Sequence, residues 1–399
     1  MYKEPNLSRY LGREESIFQS DINFLSDDIN EIIKTSSILI IGAAGSVGQS
    51  VSKEIFKRNP RKLHLVDISE NNMTELVRDL RSSFGYTKGE FKTFILDIGS
   101  IEFEIFFSEN SDYDYVLNLS ALKHVRSEKD KYTLMRMLNT NIFNTKKTAI
   151  MAAEKKIKKY FSVSTDKATC PINLMGASKR IMEIFLINLS KQVKISSARF
   201  ANVAFSDGSL LNSFGYRFSK NQPIVAPSDI RRYFISHEEA GQLCLLSCLF
   251  GENRDIFFPK LELVDLVPIK KIAEEFILER GYEPLFCETE EEARSLMGIM
   301  PQQGKWPCLF PLSDTTGEKS EEEFFSDKDD IDISLYNGIG VIKNADLNYS
   351  QQNLDSFEAN ILKMLETGCW TKAQIVVEMQ KLIPEMQYKD FGKYLDEKM

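Results

Sequence analysis

The chain is poor in metal-binding residues and in long apolar runs. Its 399 residues include only three histidines, and its six cysteines show no Cys-x-x-Cys spacing. This pattern argues against a structural zinc site or a disulfide framework. No run of about 18 apolar residues occurs, and the first residues lack an apolar signal-peptide core. The net charge of −8 provides no overall basic field for nucleic acid or anionic lipid. We therefore expect a cytoplasmic protein with no metal, nucleic-acid or membrane partner.

Apolar strands alternate with amphipathic helices over the first half of the chain. The stretches predicted as strands are SILII, KLHLVDIS, KTFILDI, YDYVLNLSA, KKYFSVSTD and KISSARF. Strands that alternate with helices of about 10–15 residues indicate a doubly wound parallel sheet. The predicted fold class is therefore α/β. It comprises a Rossmann-type sheet, a smaller α+β substrate-binding region and a helical C-terminal tail.

The patterns divide the chain into four segments. Residues 1–35 are predicted as an N-terminal helical segment, and residues 36–205 as a dinucleotide-binding domain. Residues 206–345 are expected to bind substrate, with sheet and helices that interleave with the preceding domain. Residues 346–399 show two helical patterns, the second with Thr371 as its expected N-cap.

A glycine-rich turn, GAAGSVG, follows the first strand directly and opens a helix. In this context the first glycine permits a tight turn, the second lets a pyrophosphate approach the backbone, and the third lets helix pack on strand. The helix N-terminus supplies N–H groups for the phosphates. The residues expected to contact a dinucleotide here are Gly42, Ala44, Gly45, Ser46, Val47 and Gly48.

Acidic residues end the next two strands. Asp67 is placed to accept hydrogen bonds from the adenosine ribose, and a carboxylate there disfavours a 2′-phosphate, so NAD is expected rather than NADP. Ile68 follows it. Asp97 and Ile98 are expected to meet the adenine, although Asp97 could equally form a turn. The Gly-x-x-Gly-x-x-Gly spacing indicates the short-chain dehydrogenase/reductase type of Rossmann domain.

The stretch STDKATCPINLMGASKR has a methionine where many oxidoreductases place a catalytic tyrosine. Met175 and Lys179 lie four residues apart, in the frame of that tyrosine and its lysine. On its own, Lys179 would be a surface helix lysine. Thr165, Asp166 and Lys167 end the fifth strand, at the crevice where open α/β sheets bind ligands. Thr165 and Asp166 could otherwise simply cap a turn.

Several motifs occur in order: GAAGSVG, NLSALKHV, TNIFNT, STDKATCPINLMGASKR, RFANV and TGEKSEEEF. Over roughly residues 36–330 the chain thereby resembles extended short-chain dehydrogenases of bacterial polysaccharide biosynthesis. More narrowly, it resembles nucleotide-sugar 4,6-dehydratases that act on UDP-N-acetylglucosamine or its GDP counterpart. The resemblance implies a lyase with tightly bound NAD, serving surface glycan or nonulosonic (legionaminic-type) acid biosynthesis. A 4-epimerase of the same family and a non-catalytic dinucleotide-binding protein remain alternatives.

The resemblance also implies roles in the reaction. Asp166 would protonate the departing C6 hydroxyl, and Lys167 would be the base at C5. Thr165 would bond the C4 hydroxyl or orient Asp166, and Lys179 would hold the nicotinamide ribose. Met175 cannot take the C4 proton, which leaves Asp166 with Thr165, a water or Lys167 for that step. Family members with methionine here retain configuration at C5.

Further contacts follow from the same motifs. Ala121 would lie beside the nicotinamide, and Asn141 would keep the long helix in shape near the site. Arg232 would bind the substrate diphosphate, since a guanidinium fork suits phosphate oxygens. Thr316 replaces a family proline in the loop that carries Glu318. The residues expected on the substrate side are Lys123, His124, Asn141, Asn202, Arg232 and Glu318.

The assembly state follows from the resemblance alone. The helices at 133–155 and 176–191 carry the faces that dimerise in the resembling family. We therefore expect a homodimer or a higher homo-oligomer.

Overall fold

The computed structural model describes residues 10–110, 112–262, 265–313, 323–346, 349–390 and 392. Its strands fall into one large sheet and several small ones. In chain order they are β1 Ser37–Ile41, β2 Lys62–Asp67, β3 Glu90–Ile95, β4 Tyr115–Asn118, β5 Lys159–Thr165, β6 Ile195–Phe200, β7 Asn202–Val203, β8 Ile224–Val225, β9 Arg231–Arg232, β10 Phe234–Ile235, β11 Asp255–Pro259, β12 Val267–Pro268, β13 Glu283–Cys287, β14 Lys305–Leu309, β15 Ile331–Asp332 and β16 Ile339–Ile342.

Helices cover both faces of the large sheet. In chain order they are α1 Gln19–Phe24, α2 Ser26–Thr35, α3 Ser46–Phe56, α4 Glu70–Phe84, α5 Ile101–Glu109, α6 Lys131–Leu138, α7 Asn144–Glu154, α8 Leu174–Leu189, α9 Leu210–Ser219, α10 His237–Phe250, α11 Ile269–Glu279, α12 Glu290–Leu296, α13 Gln351–Thr367 and α14 Lys372–Leu382. A π-helical turn, Asn139–Phe143, joins α6 to α7.

The large sheet has the order β15-β16-β11-β6-β5-β4-β1-β2-β3. Neighbouring strands from β3 to β11 are parallel, and β16 and β15 are added antiparallel at one edge. The order 3-2-1-4-5-6 is that of the Rossmann fold. The predicted fold class is confirmed, and each predicted strand up to residue 200 forms in the parallel part.

The core explains why β1 reads as an uninterrupted apolar run. Ile38 and Ile40 join the core on one face of the sheet, whereas Leu39 and Ile41 join the core on the other. Successive side chains of a strand point to opposite faces. A parallel strand covered by helices on both sides must therefore be apolar at every position.

Two elements differ from expectation. The sequence analysis assigned nothing to α5, whose IEFEIFFSE alternates like a strand. The structure shows a helix, capped by Ser100, that buries Phe103, Phe106 and Phe107 along one side. The single helical segment expected before residue 35 is two helices that meet at Leu25.

The segment after β7 returns to the large sheet. β11, β15 and β16 extend it, and α10 packs on α3 so closely that a Cβ on Gly241 would lie 2.9 Å from the Ser50 backbone. A smaller sheet, β13-β14-β8, has its own core around Trp306. This arrangement fits the expected interleaving, while the domain boundaries themselves stay a prediction.

The C-terminal tail, residues 351–390, packs on the helices beside the large sheet. Thr371 caps α14 with a reciprocal bond to Gln374, as expected. Phe357 of α13 stacks on Phe143 with ring centroids 6.3 Å apart. In α8 only Arg180 and Asn188 are not buried. Other parts of the chain therefore cover α8 over most of its length, and the expected oligomeric state stays a prediction.

Candidate active site

The glycine turn lies where the strand order reverses, between β1 and β4. Gly42 has a φ of +74°, and a Cβ on it would lie 2.6 Å from the Ser120 nitrogen in the loop after β4. A Cβ on Gly48 would lie 2.0 Å from the Gly42 carbonyl oxygen. A Cβ on Gly45 would meet only that oxygen, at 3.6 Å. The turn is thus tightly packed at Gly42 and Gly48 and open at Gly45. An open backbone at the middle glycine, followed by a helix N-terminus, fits the phosphates of a dinucleotide.

Asp67 ties the end of β2 to this turn. Its Oδ2 accepts the Ala44 N–H at 2.8 Å and its Oδ1 accepts the Ser69 N–H at 2.8 Å. Each oxygen keeps capacity for a further donor, and Ile68 beside it is exposed. The ribose role of Asp67 stays a prediction.

Asp97 lies beyond the end of β3, in the turn that leads to α5. Its Oδ1 accepts the Gly99 N–H at 2.8 Å, and its side chain is exposed, whereas Ile98 is buried. The structure thus contains the turn-forming role that the sequence allowed as an alternative. Contact with adenine stays a prediction for both residues.

Thr165, Asp166 and Lys167 form a tight polar unit where β5 ends. Asp166 Oδ1 accepts three hydrogen bonds: from Thr165 Oγ1 at 2.8 Å, Lys167 N at 2.9 Å and Lys167 Nζ at 3.1 Å. The other oxygen, Oδ2, is buried and has no hydrogen-bond partner among the described residues. Thr165 also caps the following 3-10 turn, because its side chain accepts the Lys167 N–H. A turn-capping role, the alternative to a catalytic role for this residue, is therefore present in the structure.

The start of α8 packs directly on this unit. A Cβ on Gly176 would lie 2.2 Å from the Lys167 carbonyl oxygen, so only glycine allows this approach. Met175 is buried next to it. One turn further along, Lys179 is buried and donates to the Val163 carbonyl of β5 at 3.0 Å. Burial lowers the pKa of Lys179 to about 8, although Glu183 opposes the shift.

Asn141 is a positioning residue, because its side chain is wholly buried and fully used within the chain. Its Oδ1 accepts the Leu122 N–H at 2.9 Å, and its Nδ2 donates to the Leu122 carbonyl and to Ser178 Oγ. Its position in the π-helical turn lets one amide join the loop after β4 to α8. This agrees with its expected role of holding the helix in shape, and contact of Asn141 with substrate stays a prediction.

Lys123 and His124 follow in that loop. The Lys123 side chain reaches solvent, yet desolvation by the surrounding protein lowers its pKa, and Asp207 opposes this shift. Desolvation and the charges of Lys123 and Arg126 lower the pKa of His124. The His124 ring lies against Gly208, where a Cβ would approach it to 2.8 Å. Both residues therefore line the same cleft as the loop after β7.

The sequence analysis missed Asp207 and His237. Asp207 accepts a hydrogen bond from Ser46 Oγ at 2.9 Å and donates its own N–H to that oxygen. The His237 ring contacts the backbones of Ser46 and Phe205, and desolvation lowers its pKa. These contacts join the glycine turn to the loop after β7. The only signal in the sequence was the SDGS turn that follows RFANV.

The remaining predicted substrate contacts lie apart or are undescribed. Asn202 Nδ2 donates to the Tyr233 carbonyl at 3.2 Å, and Arg232 is buried with Nη1 donating to the Arg231 carbonyl at 2.9 Å. Their contacts with substrate stay predictions. Ala121 is half-buried in the loop that follows Ser120. Glu318 lies outside the described residues.

Comparison with known proteins identifies the class. The family model for the polysaccharide biosynthesis protein family matches residues 38–332, and the chain belongs to this family. An uncharacterized membrane protein of Methanocaldococcus jannaschii is 29% identical over 266 residues, which are 64% of this chain and 76% of that protein. Among the described residues of the present chain, no helix is both long and apolar enough to cross a membrane.

Other relatives carry names of two activities. The probable polysaccharide biosynthesis protein EpsC of Bacillus subtilis is 27% identical over 78% of this chain, which spans only 51% of EpsC. A UDP-N-acetylglucosamine 4,6-dehydratase (inverting) of Campylobacter jejuni is 28% identical, and a UDP-glucose 4-epimerase of Rickettsia bellii is 29% identical. Each alignment covers 56% of this chain, and 67% and 66% of the two relatives.

The fold has a close counterpart among solved structures. The X-ray structure of Pen from Bacillus thuringiensis superposes with a TM-score of 0.64, over 78% of this chain and 89% of that chain, at 21% sequence identity. At that identity the likeness supports the fold alone.

Proposed function

We propose that the protein is a nucleotide-sugar 4,6-dehydratase that converts a nucleotide-linked N-acetylglucosamine to its 4-keto-6-deoxy form with C5 configuration retained. The nucleotide is UDP or GDP, and the cofactor is NAD. The product would enter the synthesis of a surface glycan or of a nonulosonic acid. Relatives at similar identity bear dehydratase and epimerase names, so residues at the site carry the choice between the two.

One observation carries the proposal: the two oxygens of Asp166 are used differently. Oδ1 accepts from Thr165 Oγ1 and twice from Lys167, whereas Oδ2 is buried without a hydrogen-bond partner among the described residues. A bare carboxylate oxygen is costly to bury without a donor. In the proposed reaction Oδ2 is the oxygen through which Asp166 passes a proton to a substrate hydroxyl. That is the group needed to expel the C6 hydroxyl as water.

Lys167 is the proposed base. Its Nζ lies 3.1 Å from Asp166 Oδ1, so it shares one short segment with the acid, as removal of a C5 proton and departure of a C6 hydroxyl require. The two side chains form an ion pair, and transfer of a proton from Lys167 to Asp166 gives the neutral amine that accepts the C5 proton. An epimerase has no use for an acid–base pair directed at C5 and C6, so this pair favours dehydration.

Met175 affects two features of the proposed reaction: removal of the proton from the C4 hydroxyl, and the configuration at C5. A thioether cannot take the proton from the C4 hydroxyl, so Thr165 with Asp166, a water or Lys167 serves there. In this proposal Met175 excludes water from the space beside Lys167, and one residue handles the C5 proton on one face of the sugar. A proton removed and returned from one face gives retention.

The glycine turn and its neighbours are the proposed NAD site. The open middle glycine and the N-terminus of α3 would hold the pyrophosphate, and Asp67 would hold the adenosine ribose and disfavour NADP. Lys179 would hold the nicotinamide ribose through the donor that remains beside its bonds to the Val163 carbonyl and Met182 Sδ. Bound NAD would take a hydride from C4 of the sugar and return it at C6.

The deciding experiment offers the purified protein UDP- and GDP-N-acetylglucosamine separately and follows the product by mass spectrometry and proton NMR. We expect one of them to lose one water and to give a 4-keto sugar of unchanged C5 configuration. A product of unchanged mass and altered C4 would indicate the epimerase, and inversion at C5 would contradict retention. No turnover of either nucleotide sugar would favour a non-catalytic dinucleotide-binding protein.

Asp166→Asn provides the matched variant. The amide keeps the Oδ1 acceptor and the shape of the side chain but cannot transfer a proton. We expect dehydration to fall by roughly 10²–10⁴-fold, with the thermal midpoint nearly unchanged. Dehydration at the wild-type rate would remove Asp166 from the acid role.

A further inference from the structure

Glu128 is a buried carboxyl group at the start of the catalytic helix. It ends the 3-10 turn Val125–Glu128, which follows His124, and it has no exposed surface. Its Oε2 accepts the Leu174 N–H, the first amide of α8. Its Oε1 is buried without a hydrogen-bond partner among the described residues. The proposed mechanism gives this side chain no chemical role, although a buried carboxyl group with an unused oxygen is costly.

The groups that surround Glu128 come from the C-terminal tail. Burial raises the pKa of Glu128 to about 7, Lys372 lowers it and Asp390 raises it, so both tail residues lie within electrostatic reach. Lys372 Nζ bonds Asp390 at 2.6 Å and lies 5.7 Å from the ring centre of Tyr388. Lys372 is thus a tail cation within electrostatic range of Glu128, and its own ion pair is with Asp390.

The tail also holds the backbone on either side of the Glu128–Leu174 bond. The Gln387 N–H donates to the Pro171 carbonyl at 3.0 Å, in the loop that leads into α8. Trp370 Nε1 donates to the Lys131 carbonyl at 3.1 Å, and Lys131 Nζ donates to the Trp370 carbonyl at 3.2 Å. These bonds attach the tail to the first residue of α6 and to the loop before α8.

We propose that Glu128 is a positioning residue through which the C-terminal tail holds the start of α8, with Met175 and Lys179, against the Thr165–Lys167 unit. Because Gly176 packs on the Lys167 carbonyl with no room for a Cβ, a small shift of the helix start displaces Met175 relative to Lys167. The catalytic consequence rests on the proposed function; the structural one does not.

The test uses the full chain with changes at both ends of the contact. Glu128→Ala removes the acceptor of the Leu174 N–H, and Glu128→Gln keeps an acceptor of the same size. Lys372→Met removes the tail cation. Lys363→Met is the matched control, because Lys363 is an exposed lysine of α13.

Hydrogen exchange of the amides of residues 171–179 is the first readout, and it needs neither substrate nor turnover. We expect exchange there to be at least about 10-fold faster in Glu128→Ala. It should be faster to a smaller extent in Lys372→Met and in Glu128→Gln, which keeps the hydrogen bond but loses the charge, and unchanged in Lys363→Met. Unchanged exchange in both Glu128→Ala and Lys372→Met would overturn the proposal. Equal acceleration in Lys363→Met would do the same.

Steady-state kinetics of the proposed dehydration is the second readout. Displacement of Met175 and Lys179 should lower kcat on the order of 10–100-fold in Glu128→Ala with KM changed little, and Glu128→Gln should restore most of it. If Glu128→Ala does not fold, Lys372→Met carries both readouts. If the wild type turns over no nucleotide sugar, the proposed function fails while the exchange result still decides the role of Glu128.

Discussion

Replacing Arg199 with methionine removes half of a wholly buried ion pair and leaves its partner behind. Arg199 donates to Glu183 through Nε at 3.0 Å and Nη2 at 2.8 Å, and through Nη1 to the Phe324 carbonyl at 2.8 Å. Methionine fills the volume of the aliphatic stem but carries no donor. Glu183 would then keep Ser164 Oγ at 2.6 Å and Arg180 Nη1 at 3.5 Å.

The surroundings of Glu183 allow an estimate of the free energy of unfolding that Arg199→Met would lose. Burial raises the pKa of Glu183, but Arg199, Arg180 and Ser164 outweigh it and lower the pKa. Without Arg199 the side chain can avoid a buried charge by binding a proton. From the ordinary value of 4.5, protonation at pH 7 costs about 3.4 kcal/mol. The expected loss is therefore about 3 kcal/mol, at the lower end of the roughly 3–5 kcal/mol typical of a broken buried pair.

This origin of the cost predicts how it changes with pH. In the wild type, the depressed pKa of Glu183 gives stability that is present above pH 4.5 and lost as the pH falls. In Arg199→Met the carboxyl group is protonated when folded, so the penalty shrinks as the pH falls. The gap between variant and wild type should narrow by about 1.4 kcal/mol per pH unit between pH 7 and pH 5.

Equilibrium urea unfolding, followed by circular dichroism at pH 7, 6 and 5, measures this gap. The double variant Glu183→Gln/Arg199→Met should be more stable than Arg199→Met alone, because an amide folds without first having to bind a proton. Arg78→Met is the control for loss of an arginine, since its pair with Glu75 is exposed and worth about 0–1 kcal/mol. A gap that is the same at pH 5 and pH 7 would refute the reasoning.

Two further predictions concern the proposed NAD site. Gly48→Ala forces a Cβ to 2.0 Å from the Gly42 carbonyl oxygen and should lower the thermal midpoint by several degrees. The Cβ of Gly45→Ala meets that oxygen only at 3.6 Å, so the thermal midpoint of this variant should be unchanged. Its affinity for NAD, measured by calorimetry, should be weakened about 10-fold or more. Equal losses of midpoint in Gly48→Ala and Gly45→Ala would contradict the different packing of the two glycines. Burial lowers the pKa of Lys179 to about 8, so its positive charge is lost as the pH rises through 8. Titration calorimetry with the NAD-free protein should therefore show weaker binding of NAD above that pH. Lys179→Arg, which stays charged, should bind NAD equally at pH 7 and pH 9.5; a flat wild-type profile would argue against the ribose role.

Local sequence patterns were enough to predict the parallel part of the sheet and the glycine turn. β1 is almost wholly apolar, and β2 and β5 are buried along nearly their whole length, because helices cover both faces of a parallel strand. The glycine spacing follows from a turn that must let strand, helix and phosphate approach one another. The Thr371 cap is equally local, since its partner lies three residues away.

Other features depend on residues that are far apart in the chain. Arg199, identified from the RFANV motif, lies buried against Glu183 of α8. Asn141 joins Leu122 to Ser178, and Asp207 meets Ser46 across 161 residues. The helix α5 alternates like a strand in sequence, and only the packing of its phenylalanines decides its form.

The physical reason is the range over which each signal acts. Periodicity, capping and turn chemistry link residues within one or two turns of the backbone, so the amino-acid sequence alone determined the order of elements and the cofactor turn. The environment of a polar side chain depends on which distant segments the fold brings beside it. Tertiary structure alone therefore decided that Asp166 Oδ2 is buried without a hydrogen-bond partner among the described residues, and that the C-terminal tail packs beside α8 with Lys372 in electrostatic range of Glu128.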